Sequence, residues 1–248
     1  MKNSFKFFFI FFISLSTLNA QSALDIIKKS DKKARGDSQT AIMKITIIRS
    51  KWTKTMTMKS WAKGNKLMAS VITSPAKEKG IVYLMRDKEI WNYVPSINRS
   101  IKLPPSMMMQ SWMGTDMTND DLIKQSSIVE DYSHEIVTSE TINNLDTWKI
   151  KLSPLENAAV VWGKILIWVD KKDYMQVKVE FFDEDDFLVN TMNAISFKNF
   201  DGRKLPSIFE YIPEDKKGQK TRIEYQEIKF NVPINEKVFS TNYMKRLR

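Results

Sequence analysis

Apolar and polar residues alternate with a period of two along most of this chain, and this pattern constrains the fold more than any other feature. From Ala41 to Ile47 every second residue is apolar, with Lys44 and Thr46 among the residues between them. Such alternation is typical of half-buried antiparallel strands. Further strands are predicted at 55–62, 67–71, 81–85, 90–94, 101–103, 133–139, 147–152, 164–170, 175–182, 188–197, 207–212 and 221–230. The sequence therefore predicts a mainly β protein with a few helices (α+β), built as one large antiparallel sheet or barrel.

Two of these strands, 81–85 and 165–169, are apolar on both faces. A strand of this kind needs cover on both sides, from a helix, a ligand or a second sheet. The chain contains no repeat, linker or break in composition, so residues 21–248 are predicted to form a single domain.

A short amphipathic helix is predicted over residues 22–34. Leu24, Ile27 and Ala34 lie on one side of it and basic residues on the rest. Ser22 can cap its start, and Gly36 supplies a stop. We expect this helix to pack against the sheet.

Residues 1–20 have the organisation of a secretory signal peptide. Lys2 and Lys6 precede an apolar run that ends before Gln21. The run is short for a membrane anchor, and the chain has no cysteine to carry a lipid or form a disulfide. We expect a periplasmic protein without a lipid anchor.

The formal net charge of +10 falls by two when the signal peptide is removed. The remaining lysines are spread along the chain, which favours solvated faces, with transient membrane-surface contact as a further option and nucleic acid as an improbable partner.

Residues 103–122, the methionine segment, contain five of the 14 methionines of the chain. Their sequence is LPPSMMMQSWMGTDMTNDDL, which matches neither a buried strand nor a long helical stripe. Methionine adapts to varied apolar partners, so the segment is either a mobile flap over an apolar cavity or a loop packed on the core. Thr118 and Asp121 resemble a capping box that introduces a short helix.

The sequence offers no constellation of catalytic or metal-binding residues. His134 is the only histidine and has no cysteine to accompany it, so an ordinary strand residue is expected. The acidic run 183–186 lacks the spacing and glycine of a calcium loop. Asp116, Asp120 and Asp121 could pair as carboxylates, but two of them fit helix-capping positions. We expect no enzyme, no cofactor and no metal.

Large aromatic side chains are abundant instead. The seven tryptophans are distributed over both halves of the chain, at positions 52, 61, 91, 112, 148, 162 and 168. They either fill a core or line the mouth of a barrel that holds one apolar ligand.

Residues 107–122, MMMQSWMGTDMTNDDL, resemble a stretch characteristic of outer membrane lipoprotein-sorting proteins, S-x-x-x-S-W-M-G-S-D-F-T-N-D-D-L. These proteins are relatives of the periplasmic lipoprotein carrier LolA. Thr115 stands in place of the usual serine and Met117 in place of an aromatic residue. Weaker similarities lie at 80–102, which matches a W-x-Y-x-P…R-x-I hairpin, and at 167–174, which matches a W-x-D…Y strand and turn.

The resemblance implies an incomplete, strongly curved antiparallel β-barrel with helices as a lid over its concave apolar face. It further implies a periplasmic protein that carries or hands over lipoproteins or other hydrophobic molecules, in some members beside an exporter of the resistance-nodulation-division (RND) type. No position of this sequence matches the lid-closing arginine of the dedicated lipoprotein carrier.

The resulting hypothesis is a non-enzymatic carrier that binds the acyl chain of a lipoprotein or another lipid. Its expected ligand-binding residues are Met107, Met108, Met109, Trp112, Met113, Met117, Trp91 and Tyr93, with Gly114 as a hinge. The alternative is an adaptor that binds no ligand and docks on an RND-type exporter. A hydrolase is disfavoured because no nucleophile and base are paired.

Overall fold

The computed structural model describes residues 21–124 and 127–247, so the predicted signal peptide lies outside the described residues. Helix α1 comprises Ala23–Arg35, and the short helix α2 comprises Asn119–Lys124. The strands are β1 Ser38–Ile48, β2 Thr53–Lys63, β3 Leu67–Ser74, β4 Val82–Arg86, β5 Glu89–Val94, β6 Arg99–Lys102, β7 Tyr132–Ile142, β8 Leu145–Pro154, β9 Lys164–Asp170, β10 Gln176–Phe182, β11 Leu188–Phe200, β12 Arg203–Pro213 and β13 Lys220–Phe230. Six short 3₁₀ helices are also described, at Pro95–Ile97, Pro105–Met107, Trp112–Gly114, Ser127–Val129, Glu236–Phe239 and Met244–Arg246.

All thirteen described strands belong to one sheet, in the order β6-β5-β4-β3-β2-β1-β13-β12-β11-β10-β9-β8-β7. Each strand is antiparallel to its neighbours, and β6 and β7 form the two edges. The sheet is therefore open, which confirms the predicted incomplete antiparallel barrel. Chain order and sheet order differ at one point, because the first and last strands pair in the middle of the sheet.

The predicted strands are all present, and the largest difference in bounds has a local cause. Strand β12 begins at Arg203, earlier than the predicted 207, because Asp201 and Gly202 form a two-residue turn that pairs Phe200 directly with Arg203. Both turn residues have positive φ, of 50° and 79°, as the tight hairpin turn requires.

Helix α1 begins and ends where the sequence predicts. The backbone N–H of Asp25 donates to the Ser22 hydroxyl at 3.1 Å, and Gly36 ends the helix with a φ of 66°. The predicted apolar side is partly wrong. The buried residues are Ala23, Ile26, Ile27 and Ser30, whereas Leu24 is half-buried and Ala34 is exposed. The buried positions 23, 26, 27 and 30 follow the i, i+3, i+4, i+7 spacing of one helix face, and Leu24 lies beside that face.

One face of the sheet, the inner face, carries α1 and the methionine segment. A row of side chains in register crosses six strands on this face: Thr221, Tyr211, Met192, Val179, Ile167 and Ile150. Ile26 and Ile27 of α1 pack in one cluster with Ile167 and Val179. The segment's Trp112 and Met117 pack on strands β1, β2 and β12.

The opposite, outer face is covered by the C-terminal segment, residues 234–247. Its Phe239 and Met244 pack in one cluster with Val82 and Leu84 of β4. Tyr83, between those two β4 residues, faces inward and contacts Trp112. The expectation that this doubly apolar strand is covered on both sides is thus confirmed.

The packing of α1 can be tested with two substitutions on one helix. Replacing Ile27 with Ala should lower the free energy of unfolding by about 2–4 kcal/mol, because a fully buried side chain leaves a cavity. The half-buried Leu24 serves as the matched control, and Leu24→Ala should cost less than about 1 kcal/mol. Urea unfolding followed by circular dichroism measures both values. Equal losses would contradict the observed orientation of the helix.

Candidate functional site

The methionine segment is folded back on itself by backbone hydrogen bonds. The N–H of Trp112 donates to the Met117 carbonyl at 2.8 Å, and the N–H of Asp120 donates to the Met108 carbonyl at 2.9 Å. The buried side-chain amide of Asn119 donates to the carbonyls of Met107 and Gln110, at 3.0 and 3.2 Å. The segment is therefore an ordered loop with its own internal structure.

The predicted binding residues of this loop divide into two groups. Trp112 and Met117 are buried on the inner face, at 4% and 5% exposure, and Met113 packs against the same cluster. The Trp112 ring meets the Tyr83 ring edge-on, with centroids 5.8 Å apart. In contrast, Met107 and Met109 are 38% and 57% exposed, and Met108 is half-buried.

Arg49, which follows β1, attaches this loop to the sheet. Its guanidinium makes a bidentate ion pair with Asp116, with both nitrogen–oxygen distances at 3.0 Å. It also donates to the Gly114 carbonyl at 2.8 Å. The Thr221 hydroxyl of β13 donates to the same carboxylate at 2.7 Å. Since the Asp116 side chain is only 3% exposed, this is a nearly buried charge pair of the geometry that suits arginine best.

Gly114, the expected hinge, has a φ of 82° and lies next to Met113, which has a φ of 58°. A β-carbon added at Gly114 would meet no atom within 4 Å, so the backbone conformation, rather than packing, favours glycine here.

The predicted capping box at the start of α2 is present. The N–H of Asp121 donates to the Thr118 hydroxyl at 3.0 Å, and the N–H of Thr118 donates to the Asp121 carboxylate at 2.8 Å. The Asp121 carboxylate also accepts a hydrogen bond from the Trp162 indole at 3.1 Å. Burial raises the pKa of Asp121 above its ordinary value of 3.8, although these hydrogen bonds act in the opposite direction.

Between α1, the methionine segment and the inner face lies a cavity of about 230 Å³. Its apolar wall includes Met117 and comes largely from the second half of the chain: Ile165, Ile167, Val179, Phe181, Met192, Phe209, Ile223, Trp162 and Tyr211. Ala34, Asp31 and Arg35 of α1 line its other side, and the last two form an ion pair at 2.6 Å. The arrangement is an apolar cavity with a few polar groups at its margin, which suits a hydrophobic ligand.

The structure does not bring Trp91 and Tyr93 into this cavity. Both lie on the outer face, where they pack in the cluster formed with the C-terminal segment. They pair with Leu84 and Val82, whereas Asn92 between them pairs with the inward-facing Tyr83. Of the expected binding residues, Met117 alone lines the cavity.

Most of the wall, including Tyr211, Met192 and Phe181, was not predicted from the sequence. Their signal was present in the alternation of β10, β11 and β12, because the inward-facing residues of neighbouring strands form one row. Arg49 was also missed, because its partner Asp116 is distant in the sequence.

The remaining candidates for chemistry have structural roles. The His134 ring nitrogen lies 2.7 Å from the Ile128 carbonyl oxygen, and burial lowers the pKa of this histidine. Asp183 binds the backbone N–H groups of Asp185 and Phe187 in its turn. Within residues 21–124 and 127–247 no group of three potential metal ligands is found. Over the same residues, no helix is long and apolar enough to cross a membrane.

Three solved structures have a fold similar to that of this chain. A DUF1329 family protein from Desulfovibrio piger has a TM-score of 0.82 at 17% identity, covering 90% of this chain and 97% of its own. A domain named for outer membrane lipoprotein sorting, from Vibrio parahaemolyticus, has a TM-score of 0.78 at 20% identity, covering 90% and 98%. A LolA superfamily protein from Nitrosomonas europaea has a TM-score of 0.75 at 24% identity, covering 90% and 100%. The fold is therefore LolA-like, as the resemblance in sequence predicted.

A family model described as an uncharacterized protein matches residues 64–246, and the chain belongs to that family. A comparison with curated proteins finds no match.

The attachment of the methionine segment can be tested by removing one charge of the ion pair. Arg49→Met should lower the free energy of unfolding by about 3 kcal/mol, because the Asp116 carboxylate is left buried without its partner. It should also make Trp112 accessible to chymotrypsin in the folded protein. Lys54→Met, which removes a more exposed ion pair with Glu78, is the control. A variant at Arg49 that resists cleavage as the wild type does would contradict this role.

The raised pKa of Asp121 gives a pH dependence of stability. The folded state holds this proton more tightly than the unfolded state, so Asp121 lowers stability as the pH rises from 3.8 through its folded-state pKa. The stability of Asp121→Asn should therefore rise relative to the wild type over that interval and run parallel above it. Urea unfolding from pH 3 to pH 8 measures this difference. Asp185→Asn, which removes an exposed carboxylate, is the control, and a stability difference for Asp121→Asn that does not change with pH would contradict the prediction.

Proposed function

We propose that this protein is a non-enzymatic periplasmic carrier that holds the acyl chain of a lipoprotein or another lipid and hands it on toward the outer membrane. The observation that supports this function is the apolar cavity between α1, the methionine segment and the inner face. The proteins of like fold named for lipoprotein sorting support the same role. Periplasmic location follows from the predicted signal peptide.

The size of the cavity bears on how a ligand enters. An engineered cavity of about 150 Å³ binds benzene, so about 230 Å³ accommodates a ring or a short alkyl chain. A long acyl chain needs more space. The additional volume comes from displacement of the methionine segment, whose Trp112 and Met117 occupy the neighbouring part of the inner face.

Loading and release then follow from competition for one apolar surface. Each buried CH₂ of an acyl chain contributes about 0.8 kcal/mol, so several suffice to displace two side chains. In the empty protein those side chains return to the inner face, guided by the ion pair of Arg49 with Asp116. The ligand thus shifts an equilibrium between a closed and an open loop, with Gly114 as the hinge.

A second candidate function, an adaptor that docks on an RND-type exporter, is favoured by one observation. Residues 97–109, which include the edge strand β6, carry four exposed apolar side chains: Ile97, Ile101, Met107 and Met109. Exposed apolar side chains beside a free strand edge suit contact with another protein.

Blocking the cavity distinguishes the two candidates. Ala34 lines the cavity from an exposed position on α1, so Ala34→Trp should fill the entrance without disturbing the core. We expect it to lower the uptake of a fluorescent fatty acid or acylated peptide at least tenfold. Lys28→Trp, on the exposed side of the same helix, is the matched control and should bind normally.

Native mass spectrometry of the wild type and Ala34→Trp, purified from the cell envelope, supplies the second measurement. A lipid adduct that is lost in Ala34→Trp supports the carrier. An unmodified mass with no uptake of added lipid by the wild type contradicts the carrier and favours the adaptor.

A further inference from the structure

Tyr211 places a buried hydroxyl at the cavity. Its side chain is 4% exposed, lines the cavity and belongs to the apolar cluster on the inner face. The hydroxyl oxygen is buried, and its O–H group donates to no acceptor among the described residues. Buried hydroxyls nearly always have a partner, and one without a partner lowers the stability of the protein unless a ligand supplies it.

The charges around Tyr211 determine the kind of acceptor. Burial and the carboxylates of Asp121 and Asp116 raise the pKa of Tyr211 well above its ordinary value, although the Asn190 side chain, as a donor toward the phenolic oxygen, acts in the opposite direction. The hydroxyl therefore keeps its proton and can donate it. The Asp121 carboxylate, which accepts hydrogen bonds from the Thr118 N–H and the Trp162 indole, disfavours a second negative charge in the same space.

The cation of the cavity wall is already engaged. Arg35 lies on α1 and pairs with Asp31 at 2.6 Å. A carboxylate or phosphate in the cavity would have to displace that pair. A neutral oxygen meets neither obstacle.

We propose that the cavity recognises a neutral acceptor oxygen of its lipid, an ester or amide carbonyl, through the Tyr211 hydroxyl. This inference rests on the carrier function and specifies its ligand class: acyl esters and amides rather than free fatty acids. A carbonyl near the chain would satisfy the buried donor, while the alkyl part fills the apolar wall.

The test compares three ligands of equal chain length by displacement of a bound fluorescent naphthylamine probe. The ligands are methyl decanoate, decanoate and decane, and the proteins are the wild type, Tyr211→Phe and Tyr132→Phe. Tyr132 also lines the cavity, but its hydroxyl lies 3.5 Å from the Trp162 carbonyl, which makes it the matched control.

Tyr211→Phe should weaken the binding of methyl decanoate about fivefold to tenfold and leave the binding of decane unchanged, because the cavity loses one hydrogen bond without a change of shape. Tyr132→Phe should show no selective loss. The wild type should bind methyl decanoate more tightly than decanoate. Tyr211→Phe should unfold at the same temperature as the wild type or higher, because a buried O–H group that donates to no acceptor is removed.

Other outcomes overturn the inference separately from the carrier function. If Tyr211→Phe weakens all three ligands equally, or none, the carbonyl assignment is wrong and the carrier stands. If decanoate binds most tightly and Arg35→Gln abolishes this preference, the ligand is an anion. If none of the three displaces the probe from the wild type, both proposals fail.

Discussion

An open antiparallel sheet must have its apolar side chains covered on both faces, and this constraint organises the whole molecule. Helix α1 covers the inner face at β7 to β9, while the methionine segment covers it at β1 to β3. The C-terminal segment covers the outer face over β3 to β5. The cover of the inner face consists of two separate elements, and the cavity lies where they approach each other. The candidate site is thus a consequence of incomplete cover on a curved sheet.

The strength of the contacts differs between these covers. Helix α1 is held by fully buried isoleucines, whereas the methionine segment buries the apolar side chains of Trp112 and Met117 on the inner face and adds the charge pair of Asp116 with Arg49. Dispersion contacts of methionine are readily replaced by those of another apolar molecule. The polar contacts of Asp116 fix only the position to which the loop returns. These properties suit a loop that exchanges places with a ligand.

The sequence predicted the strands and the helix caps because these depend on local patterns, whereas the open form of the sheet was implied only by the resemblance to lipoprotein-sorting proteins. The alternation from Ala41 to Ile47 and the Thr118–Asp121 box each involve residues close in the chain. The site depends on contacts between distant residues, and there the prediction was less complete. Trp91 and Tyr93 are aromatic and alternate correctly, but nothing local indicates which face they share. Likewise, the role of Arg49 depends on its ion pair with the distant Asp116, and the role of Tyr211 depends on its position in the cavity wall.

The pairing of β1 with β13 divides the sheet into two meanders that meet at its centre. Each meander, β1 to β6 and β7 to β13, is built from neighbours in the chain and can form by local steps. The central seam, in contrast, joins nearly the two ends of the described chain and requires the closure of a long loop. Arg49 follows β1 and Thr221 belongs to β13, so Asp116 binds across this seam. We therefore expect the methionine segment to reach its final position only after the last strand has joined the first, so that its closure on the inner face is a late event in folding.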